Sequence, residues 1–307
     1  MRGDHQIRPI EPGYLDQDIT KVPGWHGLVA WDLLFNNLTT GLFLFTAIGE
    51  LATPGLLGHV ARAAYPLAFV LLLTDLTMLV LDLGDPLRFH HMLRVFKPSS
   101  PMSLGTWSLT VYSLPLTLIA AIEVARALGL LPVDSLTVER VRKAAVVLGL
   151  LPAFGSLAYK GVLFSTCSQP GWKDARWLGG FMANSALMLG CAELLALSVL
   201  TGDIRAAEAL RTVALVMLPL NVIPAGLLFR DLSGTISRLY THRQIYLALT
   251  LILVGGTFIP SMLLLAGKSA ALSLGAVVLI VLGSLAIRML LLKIPHRSHG
   301  HGSAHEA

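Results

Sequence analysis

Eight runs of about 20 mainly apolar residues follow one another along the chain, near 26–51, 61–83, 107–125, 144–166, 177–200, 207–229, 244–266 and 270–293. A helix rises 1.5 Å per residue, so about 20 residues cross a hydrocarbon core roughly 30 Å thick. The pattern predicts an all-α integral membrane protein whose eight-helix domain covers 26–293. A polar segment, 1–25, precedes it, and a Gly/Ser/His-rich tail, 294–307, expected to be disordered, follows it. An even number of spans puts both termini on one side, called here the terminal face. The stretches 82–107, 167–176 and 231–243 share that face. The connections near 52–60, 126–143, 201–206 and 267–269 lie opposite, and Lys and Arg divide too evenly between the faces to orient the chain.

The stretch Asp82 to Trp107, DLGDPLRFHHMLRVFKPSSPMSLGTW, breaks this regularity. Gly84 is suited to a left-handed cap on the preceding helix, and Pro86 to the first turn of a new one. The spacing predicts a short amphipathic helix over 86–96. Phe89, Met92, Leu93 and Phe96 form one apolar stripe, while Arg88, His91, Arg94 and Lys97 lie largely off it. Such a helix lies along a membrane surface. Pro98 ends it, and Trp107 is expected in the interfacial aromatic belt.

Composition agrees with the pattern: 54% of the 307 residues are hydrophobic and only 13% charged, against about 25% in an average soluble chain. The net charge of +5 is scattered through short loops without a stripe, which argues against nucleic acid and for lipid headgroups. Two cysteines, Cys167 and Cys191, cannot supply the four thiolates of an iron–sulfur cluster. The histidines sit in tails, in loops or, like His26, at a span's edge, so a haem held between facing spans is not expected. No zinc spacing, phosphate-binding Gly-rich loop or Ser-His-Asp set stands out, and no metal site is expected. Residues 1–24 lack the apolar core of a signal peptide, so the first span is expected to serve as the insertion signal.

Polar groups inside the spans carry the chemistry, because each costs on the order of 3 kcal/mol at mid-bilayer unless paired or hydrated. Measured from the terminal face by helix rise, Asp32, Tyr159, Lys160, Asn184 and Arg288 lie roughly 8–10 Å deep, and Asp75 and Asn221 roughly 12 Å. Six spans thus bring a polar group to one level, a layer able to hold the head of a small molecule dissolved in the bilayer. The same groups can instead pair as helix glue, Asp75 with Lys160 or Asp32 with Arg288. Deeper lie Asn36 and Asn37, then Glu193, Glu50 and Glu123. Glu50 and Glu123 read as solvated helix ends, whereas Glu193 lies well within its span. Gly149, Gly155 and Gly161 read as close helix contacts.

The residues D-L-G-D-P-L-R-F-H-H-M-L at 82–93 and S-P-M-S-L-G-T-W at 100–107 resemble the second inter-helix loop of the NrfD/polysulfide-reductase membrane subunits. Y-K-G-V-L-F-S at 159–165, with Pro170 and Trp172, resembles the end of that family's fourth span, and Trp31 to Gly41 its first. The resemblance implies two packed four-helix bundles in a prokaryotic cytoplasmic membrane, without bound haem or cluster. It also implies a site for a quinone or quinol, menaquinone or ubiquinone, beneath a docked iron–sulfur, ferredoxin-like subunit. That partner would lead to a molybdopterin-type catalytic subunit or a cytochrome. Tyr159 matches the family's quinone-site tyrosine and Asp75 its second-span acid, with Asp82 a competitor for the latter. Asp32, where relatives carry His or Tyr, joins Lys160, Asn184 and Arg288 around the head. Asn36 and Asn37 stand where relatives carry small residues.

On this reading Asp75, Lys160 and Asp32 handle the protons, and the route Glu193, Asn37, Asn36 couples turnover to proton translocation. Arg88, Arg94 and Lys97 face the partner, with His90 or His91 as a surface relay, so that 82–107 roofs the site. Two readings of another class stay open, a secondary transporter without quinone chemistry and an inert membrane anchor.

Overall fold

The computed structural model describes residues 24–302 apart from His26, Val133 and Asp134, with side chains as far as Arg297. Among these residues, eight helices have the length and apolarity to span a membrane. They are α1 (Gly27–Ala52), α2 (Pro54–Leu81), α3 (Pro101–Ala127), α4 (Leu136–Ser165), α5 (Leu178–Leu200), α6 (Ile204–Leu239), α7 (His242–Ala266) and α8 (Ala270–Gly302). Each coincides with one expected apolar run, but the ends differ. The connection expected at 52–60 shrinks to Thr53, and α3 and α4 begin at 101 and 136 instead of 107 and 144. Hydrophobicity marks only the part of a helix that lies in hydrocarbon; capping decides where the helix begins. Ser100 accepts from Ser103 N, Ser135 from Val138 N and Asp203 from Ala206 N, while Thr241 and Gln244 form a reciprocal box. At the other end, α8 continues to Gly302, where a tail was expected from 294, and His296 lies with a ring nitrogen 2.9 Å from Trp25 O. Residues 1–23 and 303–307 lie outside the described part, as do the side chains of His299, His301 and His305.

The stretch after α2 also departs from expectation. Gly84 is not left-handed; among the described residues the glycines with positive φ are Gly129, Gly171 and Gly202, and α2 closes on Asp82 in a right-handed conformation. Pro86–Leu93 is a 3₁₀ segment rather than an α-helix over 86–96. At three residues per turn Phe89 and Met92 eclipse each other, and the single stripe that a 3.6 period would make dissolves. Met92 and Leu93 are half-buried, while Phe89, Phe96 and especially Leu87, at 85%, are exposed. The segment leans on the start of α3: Trp107 Nε1 and Ser103 Oγ both donate to Val95 O, at 3.4 and 3.3 Å.

α1 to α4 close one ring of contacts and α5 to α8 a second, and the rings meet where α1 packs on α5. These two are the most buried spans, with 78% and 61% of their apolar windows covered, against 11% for α7, which lies at the rim. Between helices in lipid, apolar surface supplies no net drive, so close packing and buried hydrogen bonds must hold them. At the α1–α5 seam, a Cβ on Gly41 would meet the backbone of Ala186 and one on Gly190 the backbone of Gly41. The expected close contacts are present, with Gly149 against Phe43, Gly155 against Ser108 and Gly161 against the backbone of Gly179. Polar ties add to this: Tyr112 OH donates to Thr39 O at 3.1 Å, and Thr39 Oγ1 to Ala68 O at 2.7 Å, joining α3, α1 and α2. On the terminal face, buried Trp172 stacks on Trp25 and donates through Nε1 to Leu291 O at 2.9 Å, tying the loop 167–176 to α8.

Candidate functional site

α1 presents Asp32 and Asn36 one turn apart on a single face, and α4 presents Ser156 and Lys160 in the same way. α2 adds Asp75. All five residues are at most 5% exposed. Lys160 Nζ lies 2.8 Å from Asp32 Oδ1 and 3.4 Å from Asp75 Oδ1, and donates to the Asp32 carbonyl at 3.1 Å. Asn36 Nδ2 donates to Asp75 Oδ2 and to Ser156 Oγ, both at 3.1 Å. Asn36 Oδ1, equally buried, has no hydrogen-bond partner among the described residues. Beside the cluster, the Tyr159 ring centre lies 5.8 Å from Lys160 Nζ. That ring occupies the space which Gly105 leaves open on α3; a Cβ there would strike it. The SLGTW motif therefore meets the site through Gly105, while the 3₁₀ segment lies farther out.

Two carboxylates face one ammonium, so with both ionised the cluster carries one surplus negative charge. Taking charges out of water is costly, and Lys160 offsets much of that cost through two short contacts. Such a set can hold a proton on a carboxyl without losing its ion pair. It offers donors, from Lys160 and Asn36, together with acceptors, from Asp75, Asp32 and the unpartnered Asn36 oxygen.

Of the expected pairings, Asp75 with Lys160 forms, while Asp32 pairs with Lys160 instead of Arg288. Arg288 belongs to the other bundle, where it donates to Ser284 and Ser185, and it reaches across to Leu33 O of α1. Asn184 is also apart from the cluster; its Nδ2 donates to Asn221 Oδ1 at 2.7 Å between α5 and α6. The single polar layer is therefore two groups, one in each bundle. Equal depth places residues at one level but says nothing of which way they face. Asn37 turns toward α5 and donates to Met182 O at 3.0 Å. Glu193 has an unpartnered Oε2, and no hydrogen bond among the described residues joins it to Asn36 or Asn37. On the outer segment Arg88 pairs with Asp85 at 2.9 Å, and Arg94 and Lys97 are exposed.

Glu50 and Glu123 are not solvated helix ends. They are 7% and 4% exposed and share Arg142, which also bonds Glu139; Arg126 and Tyr65 complete the group. Glu139 and Arg142 fall in what the apolar runs predict as a connection, although their i, i+3 spacing signals that the helix has begun. Ser156, one turn before Lys160, joins the cluster without having been among the expected residues. Cys167, just past α4, donates to Phe164 O at 2.9 Å, and burial pushes its thiol up from the ordinary range. Among the described residues no three His, Cys, Asp or Glu side chains are grouped to hold a metal ion. A family model described as "Polysulphide reductase, NrfD" matches residues 20–296. None of the curated proteins matches the sequence.

Proposed function

Because the chain belongs to the polysulphide reductase, NrfD family, whose members are membrane subunits of quinone-reactive oxidoreductase complexes, we propose that it binds menaquinol or ubiquinol, or the corresponding quinone, at the Asp32, Asp75 and Lys160 cluster. The electrons are exchanged with an iron–sulfur, ferredoxin-like subunit docked on the terminal face of a prokaryotic cytoplasmic membrane, and through it with a catalytic or cytochrome subunit.

The observation that carries this reading is the unpartnered Asn36 Oδ1 beside Asp75. A buried acceptor left without a donor costs on the order of 1–3 kcal/mol. The hydroxyl of a quinol head fits that vacancy in hydrogen bonding. A bound quinol supplies two electrons and two protons. Asp75, whose Oδ2 accepts from the Asn36 amide and whose Oδ1 faces Lys160, takes one of these protons, and Asp32, the second carboxylate on Lys160, takes the other. Lys160, fixed by Asp32, keeps Asp75 in place and supplies a donor to an oxygen of the head. Tyr159, 8% exposed and positioned by Gly105, offers its hydroxyl at the edge of the cluster. General acid–base assistance of this kind contributes about 10²–10⁴-fold. Asp75→Asn is therefore expected to lower quinol-dependent reduction of the partner's clusters by about 100-fold, and Tyr159→Phe to weaken binding of a quinone-site inhibitor. Both variants at wild-type rate and inhibitor affinity would place the site elsewhere.

A further inference from the structure

The C-terminal bundle holds a charge that the site above does not use. Arg288 is 0% exposed, and its hydrogen bonds among the described residues go to neutral oxygens. Nε donates to Leu33 O at 3.2 Å, Nη1 to Ser284 O at 2.9 Å and also to Ser284 Oγ, and Nη2 to Ser185 Oγ at 3.3 Å. No ion pair to it exists among the described residues. A buried guanidinium without an anion is costly, and an electron-rich oxygen brought near it relieves that cost.

The two serines that receive from Arg288 lie 3.2 Å apart, Oγ to Oγ. Each hydroxyl has one proton. One proton bridges the two oxygens, so the other is left to donate outward, polarised by the guanidinium behind it. Ser185 and Ser284 both line a cleft among α5, α6, α7 and α8 that opens outward. Asn221 lines it too; its Oδ1 already accepts from Asn184, which leaves its NH₂ to donate. The far wall is the π-helical stretch Leu251–Phe258 of α7, a backbone form frequent at functional sites. α7 is the least buried span, and Val222 and Leu253 at the mouth of the cleft are 36% and 39% exposed. The enclosed part takes little more than one water, about 30 Å³, so a ring enters as these two side chains give way.

The polar groups here are donors, whereas the Asp75 cluster also offers acceptors. A quinol needs acceptors for its hydroxyl protons; an oxidised quinone, whose oxygens only accept, does not. We propose that this cleft is a second site, entered from the bilayer between α6 and α7, which holds the carbonyl head of an oxidised quinone on the Ser185–Ser284 hydroxyl pair and Asn221. The proposal rests on the quinone reading of the first site, and the test separates the two.

The full chain, in its complex in lipid nanodiscs, is photolabelled with an azido-decylquinone and its peptides mapped. Label is expected on α7 residues 251–257 or α8 residues 280–287, in addition to peptides around Tyr159, and is expected to be competed by unlabelled decylquinone. Ser185→Ala with Ser284→Ala, and independently Leu253→Trp, which fills the cleft without touching Arg288, are each expected to lower the α7/α8 label at least ten-fold. Label around Tyr159 stays unchanged in both. Keeping the probe reduced is expected to lower the α7/α8 label by a similar factor. Absence of α7/α8 label, or label indifferent to both cleft variants, to competition or to reduction, overturns the second site. If label is then still found around Tyr159, only the second site falls; if it is lost there too, the first assignment falls with it. Label confined to α7/α8 overturns the first assignment and supports the second site.

Discussion

At the scale of residues, the cluster around Lys160 separates stability from chemistry. Asp75→Asn leaves one ammonium facing one carboxylate, a neutral pair with its 2.8 Å contact intact. Its thermal unfolding in detergent is expected to stay within about 1 kcal/mol of wild type, in the range of tolerated changes. Lys160→Met is of similar length but leaves Asp32 and Asp75 buried with no cation, and is expected to cost about 3–5 kcal/mol. A Lys160→Met protein as stable as wild type would show that the pair does not hold α1, α2 and α4 together. The depth of these residues was legible in the sequence, because a regular helix converts position into ångströms. Their facing was not. Rotation about each helix axis decides that Lys160 meets both aspartates and that Arg288, at similar depth, meets neither. Ser156 was legible through its i, i+4 relation to Lys160, but a lone serine in an apolar run gives no reason to be singled out.

At the scale of elements, glycines decide how near the helices come. A methyl at Gly41 would run into the Ala186 backbone, which has no side chain to move aside. Gly41→Ala is therefore expected to push α1 from α5 and to cost about 1–3 kcal/mol, read as a lower melting temperature. Gly24→Ala, with open space around it, is expected to leave the melting temperature unchanged. On the opposite face, Arg142→Leu strands Glu50 in the interior, leaves Glu123 with Arg126 alone, at 3.8 Å, and is expected to cost about 3–5 kcal/mol. Adding Glu50→Gln should recover part of that loss; failure to do so would mean that Arg142 acts through packing alone. The spans themselves were legible because apolar length is a strong constraint in a membrane. Their ends were not, since caps such as Ser135 and the 3₁₀ turn after Pro86 are local hydrogen-bond choices that hydrophobicity does not report. The opposite-face ion cluster was hidden for the same reason. With α4 expected to start at 144, Arg142 lay in a loop, and Glu50 had no visible partner.

At the scale of the whole molecule, the two faces differ in a way that bears on assembly. The opposite face is made of short connections backed by a buried ion network. On the terminal face, Leu87, Val95 and Phe96 stand 85%, 68% and 56% exposed among Arg88, Arg94 and Lys97. These apolar side chains lie outside every span, so length and composition do not assign them to hydrocarbon. The central groups of a protein interface are apolar anchors rimmed by charge, and such anchors carry most of the affinity. The segment is also tied to α3 through Trp107 and Ser103, and α3 supports the Tyr159 ring through Gly105. A partner seated there would thus rest on the element that abuts the proposed site. Leu87→Ser with Phe96→Ser is expected to lower retention of the iron–sulfur partner on purification at least ten-fold, while inhibitor binding to the membrane subunit persists. Arg94→Glu with Lys97→Glu, at the rim, is expected to slow association and to make retention more sensitive to salt. Retention unchanged in both double variants would move the docking surface to another part of the terminal face, with the loop 167–176, sealed by Trp172, next to be tested.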